Sequence, residues 1–380
     1  MKKLFHLGVV LLMLFELANV YFIMPMPGSQ RFQSIDLAYQ LYGLRWIVRG
    51  IAGALMLAGA RDTLRATGWR RALAPAALVV AAAVTYATNF RMAADKMFIA
   101  PTSLDMQPAA RNKVSGRRLV VGIEIDGDAR AYPVQFIGYH HQVRDTVAGQ
   151  PVLVSYCTVC RTGRVFSPVV DGRTENFRLV GMDHFNAMFE DASTGSWWRQ
   201  ASGEAITGPH KGKSLAELPS RQVTLSEWLA LHPKSLIMQQ DSLLASKYSK
   251  SLNFETGASR NRLTGTDTAS WKDKAWVVGI AVPGASKAYD WKRLRSEGVV
   301  NDSVGRVPIV IALARDRRSV FAFLRPDAET RFELRGDSLV SGEKSYALTG
   351  RGRDGSLEPV NASQEFWHSW RTFHPDTRRY

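Results

Sequence analysis

Mainly β structure with short helices, an α+β arrangement of two tandem homologous lobes behind a transmembrane helical region, is the fold class this sequence predicts. Three observations predict it. Long apolar stretches are confined to the first 90 residues. The remainder reads as short alternating strands set off by Gly, Asp and Pro. That remainder also repeats itself at a constant offset of 157 residues.

At 380 residues, 46% hydrophobic and 22% charged, the chain is ordinary globular material overall, so the apolar clustering is a local signal. Residues 4–24 are interrupted only by His6, Glu16 and Asn19 and come after Lys2 and Lys3, the length and flank of an anchor helix. No small-x-small site follows cleanly, which favours an anchor over a cleaved signal. Residues 72–88, rich in Ala and Val, form a second stretch near spanning length, and residues 41–60 a weaker one that must carry Arg45 and Arg49. Three spans within residues 1–90 are expected. Glu16 and Arg49, each costly alone in lipid, would offset one another if the first two helices pack together. Lys2, Lys3 and the basic loop 61–71 then lie in the cytoplasm, which places everything after Asn89 on the periplasmic side of the inner membrane. The net charge of +15 comes with no zinc-finger ligand series, helix-turn-helix signature or basic tract with interleaved aromatics. Membrane lipid, not nucleic acid, is the partner it implies.

A polar linker, 91–113, leads to the repeat. Val120-Val-Gly-Ile123 and Ala131-Tyr132 return as Val277-Val-Gly-Ile280 and Ala288-Tyr289, with 11 identities in the 35 ungapped positions from Val120. Trp228, His232 and Pro233 are echoed by Trp370, His374 and Pro375. The lobes are therefore set at 114–240 and 270–380, with 241–269 between them. Within the first lobe, residues 118–125 and 129–133 around Asp126-Gly127-Asp128 predict a hairpin. Residues 151–156 and 164–170 predict another, with 157–163 as its tip. Short helices are expected at 225–231 and 364–373.

Cys157 and Cys160, at that tip, are the only cysteines. At the repeat offset they fall on Ala314 and Arg317, His140 falls on Glu297 and His141 on Gly298. Residues needed for the fold should persist in both copies, so the loss of all four from the second points to chemistry in the first.

The ordered set Asp126-Gly-Asp-Ala-Arg-Ala-Tyr-Pro133, Tyr139-His140-His-Gln-Val-Arg-Asp145, Tyr156-Cys-x-x-Cys160, Ser196-Trp-Trp-Arg-Gln200 and Gly203-Glu-Ala-Ile-Thr-Gly208 resembles the bacterial and archaeal family called domain of unknown function 3179. The resemblance covers nearly all of the soluble region. It maps the family's His onto His140 and its final Asp onto Asp145. The chain departs from the pattern with His141 for Glu, Arg144 for Asn and Thr158 for Pro. The resemblance implies no established activity.

Two thiolates this close can chelate a soft metal, cycle as a redox dithiol or close a plain disulfide, and all three readings stay open. A metal would take Cys157, Cys160 and His140, with His141 or His184 as a fourth ligand and Asp145 orienting an imidazole. Met182 and Met188 beside His184 would favour copper, and soft ligands in an oxidising compartment favour copper over zinc. Tyr156, Trp198 and Gln200 would line the pocket. The leading expectation is a membrane-anchored, periplasm-facing protein with a soft-metal (copper or zinc) or redox thiol site, acting on an envelope metalloprotein or thiol partner. The alternatives are a metal-free thiol oxidoreductase and a non-catalytic binding module using the Trp-rich surface. Whether the protein is an enzyme is left open. No phosphate loop, dinucleotide fingerprint or serine elbow is present.

Overall fold

The computed structural model describes all residues except 1, 32, 33, 66, 68, 69 and 354. It is about one third helix and one third strand, and it divides into two compact units. The loop 61–71, expected to be cytoplasmic, lies partly outside the described residues.

The first unit joins residues 1–99 to 176–199 and 204–213. Its helices are Lys2–Tyr21, Ile35–Leu64 and Arg70–Tyr86, and three stretches, Lys3–Tyr21, Ile35–Leu64 and Ala72–Arg91, are long and apolar enough to cross a membrane. The protein is therefore membrane-associated. Glu16 is fully buried between these helices. Arg49 Nε donates to its Oε1 at 2.6 Å, and Asn89 Nδ2 donates to its Oε2 at 2.8 Å. Arg49 Nη2 also donates to Asn89 Oδ1 at 2.8 Å, so one residue from each helical stretch closes the network. An ion pair with its hydrogen bonds filled is the form in which such charges are tolerated in hydrocarbon.

The same unit contains a four-stranded antiparallel sheet, Phe177–Asp183, Asn186–Asp191, Trp197–Arg199 and Ala205–Thr207. Val180, Met188 and Trp197 of this sheet share one apolar cluster with Val20, Ile23, Met24 and Ala38. The contact is close at Gly181, where a Cβ would lie 2.5 Å from the Ile23 carbonyl oxygen.

The second unit holds the second copy of the repeat and the first copy apart from residues 176–199 and 204–213, and the two share the following series of elements. In the first, Leu119–Ile125 and Asp128–Pro133 form a hairpin whose turn, Asp126-Gly127, has both φ positive, as a two-residue turn between twisted strands requires. The helix Val134–His140 comes next, then the antiparallel sheet Gln142–Val147, Gln150–Cys157 and Thr162–Phe166. In the second copy the order is Trp276–Val282, Ala285–Asp290, the helix Trp291–Glu297, then Val299–Val304, Val307–Leu313 and Val320–Leu324. Each copy ends with an edge strand, a helix and a final strand in parallel pairing with the hairpin. These are Arg221–Thr224, Leu225–Leu231 and Leu236–Met238 in the first, and Ser363–Phe366, Trp367–Phe373 and Arg378–Arg379 in the second. The expected helix over 364–373 thus begins as a strand.

The shared sequence now has a physical cause. A Cβ on Gly122 would meet the Trp228 ring at 2.4 Å, and one on Gly279 would meet the Trp370 ring at 2.1 Å, so each lobe keeps a glycine where its tryptophan lies flat on the sheet. His232 and His374 stack on those same rings, with centroids 4.1 and 3.8 Å apart. Tyr132 donates to Asp145 at 2.6 Å and Tyr289 to Asp302 at 2.9 Å. One apolar core contains Val152, Val154 and Val165 together with Val310, Ala312 and Phe321, so the lobes are fused through buried surface.

Candidate thiol site

The hairpin that carries the cysteines pairs from Leu153 with Phe166 as far as Cys157 with Thr162, leaving only residues 158–161 as its tip. Arg161 closes the turn at φ 59, a left-handed conformation that costs a side-chain-bearing residue of order 1 kcal/mol or more. Cys157 and Cys160 are both fully buried. Gln200 ties the strands beneath them: its Nε2 donates to Ser155 Oγ at 3.1 Å and to the Thr162 carbonyl at 3.0 Å.

The second lobe covers the tip. The Phe366 amide donates to the Cys160 carbonyl at 2.9 Å, and His368 Nε2 lies 3.2 Å from the Val159 carbonyl oxygen. Thr162 Oγ1 meets Ser369 Oγ at 3.3 Å, and Arg164 Nη2 pairs with Glu365 at 2.6 Å. Lys274 Nζ donates to the Val159 and Leu263 carbonyls. Burial pulls the Lys274 ammonium below its ordinary pKa, while Cys160 and Cys157 act to hold it up, so a positive charge stands in the field of both sulfurs. His368, pushed to about 4 by burial and then by Lys274, stays neutral beside it.

Each residue expected at the site has a definite place. His140 ends the helix Val134–His140, and its Nε2 is 2.8 Å from the Tyr248 hydroxyl. Its counterpart Glu297 accepts from Tyr380 at 2.9 Å, so in both copies this position holds a tyrosine, from the 241–269 connection in the first and from the final strand's end in the second. His141 is the left-handed C-cap of that helix at φ 63, and burial pushes it to about 4. Its counterpart Gly298 caps the second helix at φ 77, where glycine is the low-cost choice. Asp145 accepts the Tyr132 hydroxyl, as Asp302 does for Tyr289. Tyr156 precedes Cys157 with its phenol buried and raised by desolvation.

His184 and Trp198 belong to the other unit. His184 sits in the turn between Phe177–Asp183 and Asn186–Asp191, at φ 49, with Nδ1 2.5 Å from Asp183. Trp198 Nε1 donates to Asp191 at 2.7 Å. Met182 and Met188, beside His184 in sequence, are both buried, Met188 in that unit's apolar cluster. Among the described residues no three His, Cys, Asp or Glu side chains gather as a metal site.

Sequence reasoning missed Arg161, Lys274, Glu365 and His368. Arg161 follows Cys160 directly, which was a signal in plain view. The other three come from the second lobe, which lacks the cysteines.

The family of proteins of unknown function DUF3179 matches residues 100–377, most of the chain and all of the thiol hairpin. The chain belongs to this family. No curated protein and no solved structure matches it. The family thus covers both lobes and the strands 177–207 alike, but brings no activity with it.

Proposed function

We propose that this protein is an inner-membrane-anchored thiol protein facing the periplasm, whose Cys157 and Cys160 cycle between dithiol and disulfide to mature another envelope protein. The observation that carries this reading is the Lys274 ammonium placed in the field of both sulfurs, because a nearby cation favours the thiolate, the nucleophilic form. One thiolate attacks a partner disulfide, whose other sulfur leaves and takes a proton. The second cysteine then resolves the mixed disulfide, so that two electrons pass to the partner and the chain keeps a Cys157–Cys160 disulfide. The second lobe supplies the cation and the cover, and the cover must move before a partner reaches the buried sulfurs.

The test is made on the full chain in detergent, purified without a metal-affinity tag. It is poised in glutathione buffers of stepped potential, with thiols counted by mass and metals by elemental analysis. The expected result is a reversible two-electron couple that disappears in Cys157→Ser. Near-stoichiometric copper or zinc, lost in Cys157→Ser and reduced in His140→Ala, would replace this reading with a soft-metal site. Cysteines that exchange in no buffer and hold no metal would turn attention to a binding module in which they are dispensable.

A further inference from the structure

Arg161 is fully buried, yet two of its nitrogens, Nε and Nη2, have no hydrogen-bond partner among the described residues. Among the described residues Nη1 donates to the Phe254 carbonyl at 3.3 Å. Buried guanidinium N–H groups are seldom left unfilled, because desolvating them without a partner costs of order 1–3 kcal/mol each. The two open nitrogens are not a random pair. They form one edge of the guanidinium plane, the fork that receives both oxygens of a carboxylate or phosphate in parallel.

The surroundings hold the plane and leave that edge. The guanidinium lies over the Trp276 ring at 3.5 Å and 5.3 Å from the Phe254 ring centre. Trp276 also lines a pocket of 170 Å³ with Thr256, Gly257, Thr266 and Trp291. Among the described residues no carboxylate answers the charge. Glu255, the nearest acidic influence, has one oxygen on Arg118 at 2.7 Å and the other on the Leu119 amide at 2.5 Å. Arg318 is a second cation acting on Arg161, and its own Nε is also unfilled. Asp316, beside Arg318, is occupied by Thr224, Ser319 and backbone amides. Buried positive charge thus exceeds what the described acids neutralise, and Arg161 follows Cys160 directly in the chain.

We propose that the Nε and Nη2 edge of Arg161 is an oxyanion site that receives a carboxylate or phosphate group of a ligand and sets it beside the cysteine pair. This deepens the thiol reading by giving its substrate a negative charge, and it rests on that reading only for the sulfur chemistry after binding.

The full chain in detergent is titrated with inorganic phosphate and with acetate at constant ionic strength in sodium chloride. Melting temperature and tryptophan emission, to which Trp276 contributes, are monitored together. Saturable stabilisation is expected from at least one anion, weakened at least about tenfold in Arg161→Lys, which keeps the charge but loses the fork, and abolished in Arg161→Met. The anion with the stronger effect names the class. In parallel, the thiols are alkylated with iodoacetate and iodoacetamide, the thiolate displacing iodide in each case. The wild type should favour iodoacetate relative to Arg161→Lys, with phosphate or acetate protecting against iodoacetate alone. Anion effects that are absent in the wild type, or equal in folded Arg161→Lys, would overturn the proposal. Failure of the redox titration with these anion effects intact would overturn the thiol reading and leave the anion site standing.

Discussion

The two lobes share one frame and differ at the tip of one hairpin. In the first lobe the tip carries two thiols and turns Arg161 inward at φ 59. In the second, the corresponding loop carries none, and its left-handed residue, Arg317 at φ 57, is exposed and donates to the Arg295 carbonyl. Each tip thus carries one left-handed arginine, buried in the first copy and exposed to solvent in the second. What the second lobe lost at its own tip it supplies to its neighbour's, through Lys274, Glu365 and His368.

The comparison breaks most severely at the features both lobes keep. Trp228→Ala and Trp370→Ala should each cost about 3–5 kcal/mol, read from urea midpoints of the detergent-solubilised chain. If only one of them matters, the lobes are not equivalent in folding. Next is the join between them. Arg164→Met leaves Glu365 buried without its partner and should cost about 3–5 kcal/mol, whereas Arg164→Met with Glu365→Leu should recover much of that loss. Failure of the double variant to recover would show that the pair does not act as a unit.

Stability should also fall in acid. His141 and His368 sit at about 4 in the folded chain against an ordinary 6.5, so the unfolded chain takes up protons first. Their contribution is whole above about pH 6.5 and is lost as pH drops towards 4, by up to about 3 kcal/mol for the fully buried His141 and by less for the partly exposed His368. A melting temperature flat between pH 7 and 4.5 would contradict this. The smallest effects test the cap. Gly298→Ala should cost about 1 kcal/mol by forcing a side chain into left-handed backbone. His141→Gly should be better tolerated than His141→Ala, since glycine restores the residue the second lobe uses. Equal losses would mean that the imidazole, and not the backbone, decides that position.

Much of the frame was legible in the sequence. The constant offset predicted matching strands. The helices Val134–His140 and Trp291–Glu297 were not seen, because seven-residue segments hold barely two turns and their apolar residues read equally well as extended chain. The internal control also reads differently in three dimensions. His141 opposite Gly298 looked like a lost ligand, and the structure makes both of them helix caps. His140 opposite Glu297 looked like lost chemistry, and both hold a tyrosine. At the thiol tip the control pointed to the cysteines, but it could not show that residues more than 100 positions away complete their surroundings, since such contacts leave no local pattern.

The sheet formed by 177–207 has one consequence for handling this molecule. Its Val180, Met188 and Trp197 are buried with Val20, Ile23 and Met24, so a fragment cut at residue 90 would expose a flat apolar sheet at the middle of its own chain. Such a fragment should precipitate or bind chaperones even with both lobes correctly formed. The apolar helical region is in this sense a folding partner of the sheet, and exchanging it for a generic apolar helix would take the sheet's covering residues away.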